Sequence, residues 1–322
     1  MGVAMVVAVY WFVVQQPPEQ VWERSRAEGD SAMQAGKYAE AERAYIAAIR
    51  ILETLGIGDA RLGRVEGWLA AARENRGDYR GAIVPQRRAV QNLEGDPSTP
   101  VAELMAAWEF LGTDYWRLRR LAEAERAYLS AFRLGVQKGF TDDRERFLLF
   151  SDLGRVYQDE RKYADAQGYL DQGRSILART PGLEVKNQVG FLNSLGTNLR
   201  MMGRFGDAEE ALRTALGILD ASGDRSPVPR VFLMSNLAQT YAVQKDYQTA
   251  TEWFRRASEL TGEDVPPYTR ADLLQKYADC LRKNRDRTEA RKVATAAKEI
   301  LRSLPRERKN GAAVDVGELS RR

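Results

Sequence analysis

From Trp108 to Ala131 bulky and small apolar residues alternate at helical spacings. Trp108, Leu111, Gly112 and Tyr115 fall on one stripe, and Ala124, Tyr128 and Ala131 fall on a second. Two such stripes, with small residues where two helices must approach and bulky ones filling the space around them, predict a helical hairpin. The small residue of the first helix recurs as Gly112, Gly154, Gly196 and Ala238, each 42 residues after the last. A constant period of this size predicts an all-α stack of hairpins in place of one closed core.

Weaker copies extend the pattern in both directions. Gly29, Ala41, Tyr45 and Ala48 mark a first unit, with Gly36-Lys37-Tyr38 as its inter-helix turn. Leu69-Ala70, Gly77, Tyr79, Ala82 and Ala89 mark a second, in which Arg73 holds the position of Tyr115, Tyr157 and Tyr241. Tyr277-Ala278, Leu281, Ala290 and Ala297 mark a seventh. Between units, Thr141-Asp142-Asp143, Ser226-Pro227 and Pro266-Pro267 read as helix starts, because caps, acids and proline suit a helix N-terminus. The predicted organisation is an apolar segment at residues 1–16, seven repeats over residues 19–303 and an irregular basic tail at residues 304–322. Val314, Val316 and Leu319 of that tail are candidates for docking on the last repeat.

Residues 1–14 are unbroken apolar and precede Pro17-Pro18. A helix of that length reaches about 21 Å, short of a hydrocarbon core of about 30 Å. No Lys or Arg precedes it and no small-x-small cleavage site follows, so a cleaved signal peptide fits poorly. The readings are a membrane anchor, an apolar cap on the first repeat, or a signal remnant. The anchor is preferred, with an extracytoplasmic repeat region.

Charge and composition narrow the chemistry. Lys and Arg number 49 against 45 Asp and Glu, the mixture of a solvated helical surface rather than a nucleic-acid footprint. The absence of histidine removes Ser-His-Asp triads and every His-ligated zinc site. No phosphate-binding loop, nucleophile elbow or CxxC pair occurs, and no catalytic residue, cofactor or metal is expected. The single cysteine, Cys280, lies on an apolar helix stripe and reads as core.

The motif W-x-x-L-G-x-x-Y, then A-x-x-x-Y, resembles the tetratricopeptide repeat over roughly residues 19–303. The 42-residue spacing is longer than that family's usual period and is similar to the repeats of kinesin light chains and bacterial multi-repeat proteins. The resemblance implies an all-α, right-handed α-solenoid of about seven antiparallel hairpins, with a concave groove of first helices that holds a peptide or protein segment. Trp108, Leu111 and Tyr115 are core in that scheme. Thr113, Trp116, Arg117, Arg155, Gln158, Asn193, Thr197, Arg200, Asn236 and Gln239 then face the groove. Kinesin-light-chain-like repeats place asparagines at the positions matching Asn193 and Asn236, where they bond a ligand's backbone; the other reading of this pair is inter-helix hydrogen bonding. The arginines suit carboxylates, so the expected partner is a protein or peptide of acidic character, and not a nucleic acid. The expected function is a non-catalytic interaction scaffold. The alternatives are a regulatory or sensor module serving a separate catalytic protein, and a nucleic-acid-binding solenoid.

Overall fold

A computed structural model describes residues 18–140 and 142–304. The apolar residues 1–16, Thr141 and the tail from residue 305 lie outside the described residues, so the expectations placed on them are not addressed by the fold. Among the described residues there are fourteen α-helices and no strand. They are α1 (Pro18–Gln34), α2 (Tyr38–Thr54), α3 (Ala60–Asn75), α4 (Tyr79–Gly95), α5 (Val101–Arg117), α6 (Leu121–Lys138) and α7 (Asp143–Asp159). There follow α8 (Tyr163–Arg179), α9 (Val185–Met201), α10 (Phe205–Ser222), α11 (Pro227–Val243), α12 (Tyr247–Glu259), α13 (Pro267–Lys283) and α14 (Arg287–Ser303). First helices start every 40–42 residues throughout, including the two weak N-terminal units. Consecutive helices pair as seven hairpins, each stacking on the next within its own body. The array divides into two compact bodies between Asp142 and Asp143. No helix among the described residues is long and apolar enough to cross a membrane.

One contact repeats in the hairpins and explains the small-residue column. A Cβ on Gly29 would lie 2.4 Å from the Tyr45 ring, one on Gly112 would lie 2.8 Å from Tyr128, and one on Gly196 would lie 2.7 Å from Leu212. In each case the partner sits sixteen residues downstream, on the second helix, and is itself buried. The glycine is therefore the seat of a large side chain, and it sets how closely the two helices approach.

Each first helix ends in a left-handed residue that lets the chain reverse. Gly36, Gly77 and Gly203 hold this position in three hairpins, while Arg119, Arg161, Lys245 and Arg285 hold it in four, with φ between 58° and 66°. At Arg161 the two reverse-turn bonds are explicit. Its N–H donates to the Gln158 carbonyl at 2.9 Å, and the Lys162 N–H donates to the Tyr157 carbonyl at 2.8 Å. A non-glycine residue pays roughly 1–2 kcal/mol for this backbone, partly offset by placing a cation at a helix C-terminus. Arg161→Gly and Lys245→Gly are each expected to stabilise the second body by about 0.5–1 kcal/mol, read as a raised denaturation midpoint.

The second hairpin departs from the pattern by burying charge. Arg73, at the position of Tyr115, Tyr157 and Tyr241 in other units, donates to Glu42 at 2.9 Å and to the Gly81 carbonyl at 2.8 Å. Glu66 is buried on α3, where it accepts from Asn92 of α4 at 3.0 Å and lies 3.5 Å from Arg88. Burial pushes its carboxyl up to about 7, against the pull of Arg88 and Asn92. Because the folded value is raised, the folded state holds the proton more tightly than the unfolded chain does. That stability is present below the unfolded value near 4.5 and is lost as pH rises through about 7. Glu66→Gln is expected to add on the order of 2 kcal/mol near pH 8 and to flatten this pH dependence, measured by denaturation at a series of pH values.

Candidate functional site

The first helices of the second body pack side by side, α7 on α9 and α9 on α11, so their outward-turned residues share one face. A chain of side-chain bonds crosses that face. Gln158 of α7 donates to the Ser194 carbonyl of α9 at 2.6 Å. Asn236 of α11 donates to the Asn193 oxygen of α9 at 2.7 Å, and Gln239 donates to the Asn236 oxygen at 3.2 Å. The two asparagines thus bond each other, holding neighbouring repeats in register. Thr197 is half-buried one turn from Asn193.

The three expected arginines have three different surroundings. Arg155 pairs with Asp152 one turn before it on α7, and burial holds that carboxyl above its usual value despite the guanidinium. Arg117, in the first body, donates to the Tyr79 hydroxyl at 2.7 Å and lies 4.6 Å above the centre of the same ring. Arg200 is half-buried on α9 and pairs with no carboxylate among the described residues. Its one side-chain neighbour at bonding range is the Met201 sulfur at 3.7 Å, and its Nε is enclosed without a partner. Burial lowers its pKa, and the nearby Tyr163 only partly opposes the shift. A desolvated guanidinium without an anion is costly, and a carboxylate docking there removes that cost.

On α5 the other two expected groove residues are also engaged within the first body. The Thr113 hydroxyl shares a hydrogen bond of 2.9 Å with the Tyr128 hydroxyl. Trp116 keeps only 9% of its surface exposed, so it offers a ligand little area. Conversely Trp108, expected in the core, is only half-buried. It stands in the wall of an open cavity of about 500 Å³ between α4 and α6, with Leu111, Tyr115, Arg87, Arg126 and Arg133. The signature tryptophan stays partly open because neighbouring second helices do not close over it.

Cys280 is buried, and burial pushes its thiol up to about 11. Glu209, one of two adjacent acids, is tied up by Arg213 at 2.7 Å and by the Tyr241 hydroxyl. Among the described residues no group of three His, Cys, Asp or Glu is placed to hold a metal. Sequence reasoning missed Glu66 and the basic turn residues. The second omission had a visible signal, since Arg161 and Lys245 align with glycines of other turns.

Comparison with known proteins agrees with this geometry. Residues 233–263 match a family model described as tetratricopeptide repeat. No curated protein sequence matches the chain. A tetratricopeptide repeat protein from Parabacteroides merdae superposes with a TM-score of 0.64 at 13% identity, covering 91% of this chain and 97% of that one. A chain of the APC/C hetero-tetramer Cut9–Hcn1 gives 0.57 at 17% identity, over 86% of this chain and 46% of that one, so this chain spans under half its length. Nearly identical TPR-like repeats described as kinesin light chain, from Podospora anserina, give 0.51 at 20% identity over 61% of this chain and 94% of that one. The chain therefore carries a tetratricopeptide repeat at residues 233–263 and has the stacked helix-pair fold of tetratricopeptide-repeat proteins, a fold that commonly mediates protein–protein interaction.

Proposed function

We propose that the chain is a non-catalytic interaction scaffold, and that the shared face of α7, α9 and α11 holds an extended or partly helical protein segment of acidic character. The observation that carries this reading is Arg200, a half-buried guanidinium with no carboxylate partner among the described residues. Around it Thr197, Asn193, Asn236 and Gln239 present hydroxyl and amide groups of the kind that bond an extended backbone. The internal bond of the asparagine pair is a half-buried amide–amide contact, which a ligand can exchange for its own at little net cost. The assembly of Cut9 with Hcn1 in a fold of this kind is in keeping with a protein partner. In this reading residues 1–16 tether the chain to a membrane, with the repeats outside the cytoplasm; unchanged association with neutral phosphatidylcholine vesicles on removing them would sink that part.

The test is a titration of the chain with unstructured acidic peptides and with neutral peptides of the same length, at low and high salt. The proposal expects binding of the acidic set that weakens as salt rises, because the partner charges are only partly desolvated. Equal affinity for both sets at both salt concentrations would remove the acidic specificity, and no binding of either would remove the site.

A further inference from the structure

In the second body each intra-hairpin turn lies at the same end of its helix pair, so the turns α7–α8, α9–α10, α11–α12 and α13–α14 form one edge. Neighbouring helices sit about 10 Å apart, which spaces these turns along a row of about 30 Å. Asp165, in the first turn of α8, is exposed without an ion pair among the described residues, and four other acids of the edge are committed. Asp246 and Asp286 cap the following helices by accepting the Thr249 and Glu289 backbone N–H groups at 3.1 and 3.0 Å. Glu160 pairs with Lys162 at 2.8 Å, and Asp207 pairs with Arg204 at 2.6 Å. The cations at the turn apices are not. Arg161, Lys245 and Arg285 are exposed and pair with no carboxylate among the described residues. All three hold the left-handed backbone that favours glycine, so the turns keep a cation at a conformational cost.

Exposed apolar side chains gather at the same edge. Met201 is 45% exposed, Met202 is 40% exposed and Val243 is 55% exposed, and each stands at the end of a first helix beside a turn. Tyr163, Phe205 and Tyr247 begin the second helices there and are half-buried. Uncommitted cations interleaved with exposed apolar residues and half-buried aromatics are the composition of a surface that meets lipid headgroups. A soluble polyanion asks for the charges but gives the methionines and valine nothing to bury against.

We propose that this turn edge docks on an anionic bilayer, with Arg161, Lys245 and Arg285 against the headgroups and Met201, Met202 and Val243 at the acyl boundary. The edge abuts the acidic-segment site, since Met201 touches Arg200, but its three cations are not part of that site and its docking does not need the apolar residues 1–14.

The experiment uses the full chain and exploits its single native cysteine, which is buried. An environment-sensitive fluorophore is placed on Gln244→Cys in the edge, or on Ala221→Cys at the opposite end of the hairpins. Both are mixed with phosphatidylcholine vesicles, with and without phosphatidylserine, carrying a quencher in the bilayer. The proposal expects quenching at position 244 only, only with phosphatidylserine, and lost at high salt. The triple variant Arg161→Gly, Lys245→Gly and Arg285→Gly relieves backbone strain while removing charge, so a loss of docking is not a loss of folding. At about fivefold per cation near an anionic surface, it should weaken docking of the edge by about a hundredfold and abolish quenching at position 244. Equal quenching at both positions, quenching without phosphatidylserine, or an unaffected triple variant overturns the proposal. Binding of duplex DNA with the same sensitivity to the triple variant, and no quenching on vesicles, would assign the edge to a soluble polyanion instead. Partitioning driven by residues 1–14 does not confuse the reading, which reports which edge meets the bilayer.

Discussion

Phe191→Ala is expected to cost the second body about 4 kcal/mol, the largest loss from any single truncation considered. Phe191 lies on α9 with none of its surface exposed. Its ring stacks at a tilt on Phe147 of α7, with centroids 4.9 Å apart, and presses on Gly173 of α8, where a Cβ would stand 2.5 Å from it. One side chain thus joins two successive hairpins. Removing it deletes the transfer term, leaves a cavity that the glycine cannot refill, and forfeits an aromatic pair worth about 1 kcal/mol. In a stacked array each hairpin is stable largely through its neighbour, so the loss falls on the interface that carries cooperativity. Chemical denaturation should show a lowered midpoint. A midpoint unchanged within error would mean that the α7–α9 contact is not part of the folded core.

Gly196→Leu is the second large effect, about 3 kcal/mol of destabilisation from overpacking. A Cβ there already meets Leu212 at 2.7 Å and the Ala208 carbonyl, a backbone atom, at 3.2 Å. Leu212 is fully buried and the carbonyl belongs to α10, so neither yields without moving a helix. Gly196→Ala separates the causes. It meets the same Leu212 contact with the Cβ alone and recovers about 1 kcal/mol of helix propensity, so it should cost less than leucine. Ala238 at the same register in the sixth hairpin makes that outcome reasonable. Thermal melts that rank leucine equal to alanine would show that α9 and α10 do not approach closely at this point.

Most of the fold was legible because its determinants are local and repeated. The pairing of Gly112 with Tyr128, and of Gly196 with Leu212, sits at fixed separation along the chain, so a 42-residue period exposes it without any knowledge of three dimensions. What was not legible depends on who meets whom. Trp108 carries the motif but faces a gap between α4 and α6 that spacing does not report. Glu66 and Arg73 look like lapses in the second repeat, yet their partners Asn92 and Glu42 come from neighbouring helices. The division between Asp142 and Asp143 is silent in the sequence, because the period from Gly112 to Gly154 runs straight through it. The site shows the same limit. Arg117, Arg155 and Arg200 look alike on a helical stripe, and only the positions of Tyr79 and Asp152 distinguish two committed guanidinium groups from the one left open.

That open arginine gives the most direct test of the account, by isothermal titration of Arg200→Ala and Arg155→Ala with an acidic peptide that binds the native chain. Arg200 contributes no ion pair to the fold among the described residues, so its removal should leave the denaturation midpoint unchanged or slightly raised. Losing a charge-assisted bond to the ligand should weaken binding by about 10- to 100-fold, while Arg155→Ala, already neutralised by Asp152, changes affinity far less. If Arg200→Ala lowers stability and binds the peptide as tightly as before, the arginine is structural and the face of α7, α9 and α11 is not the binding site.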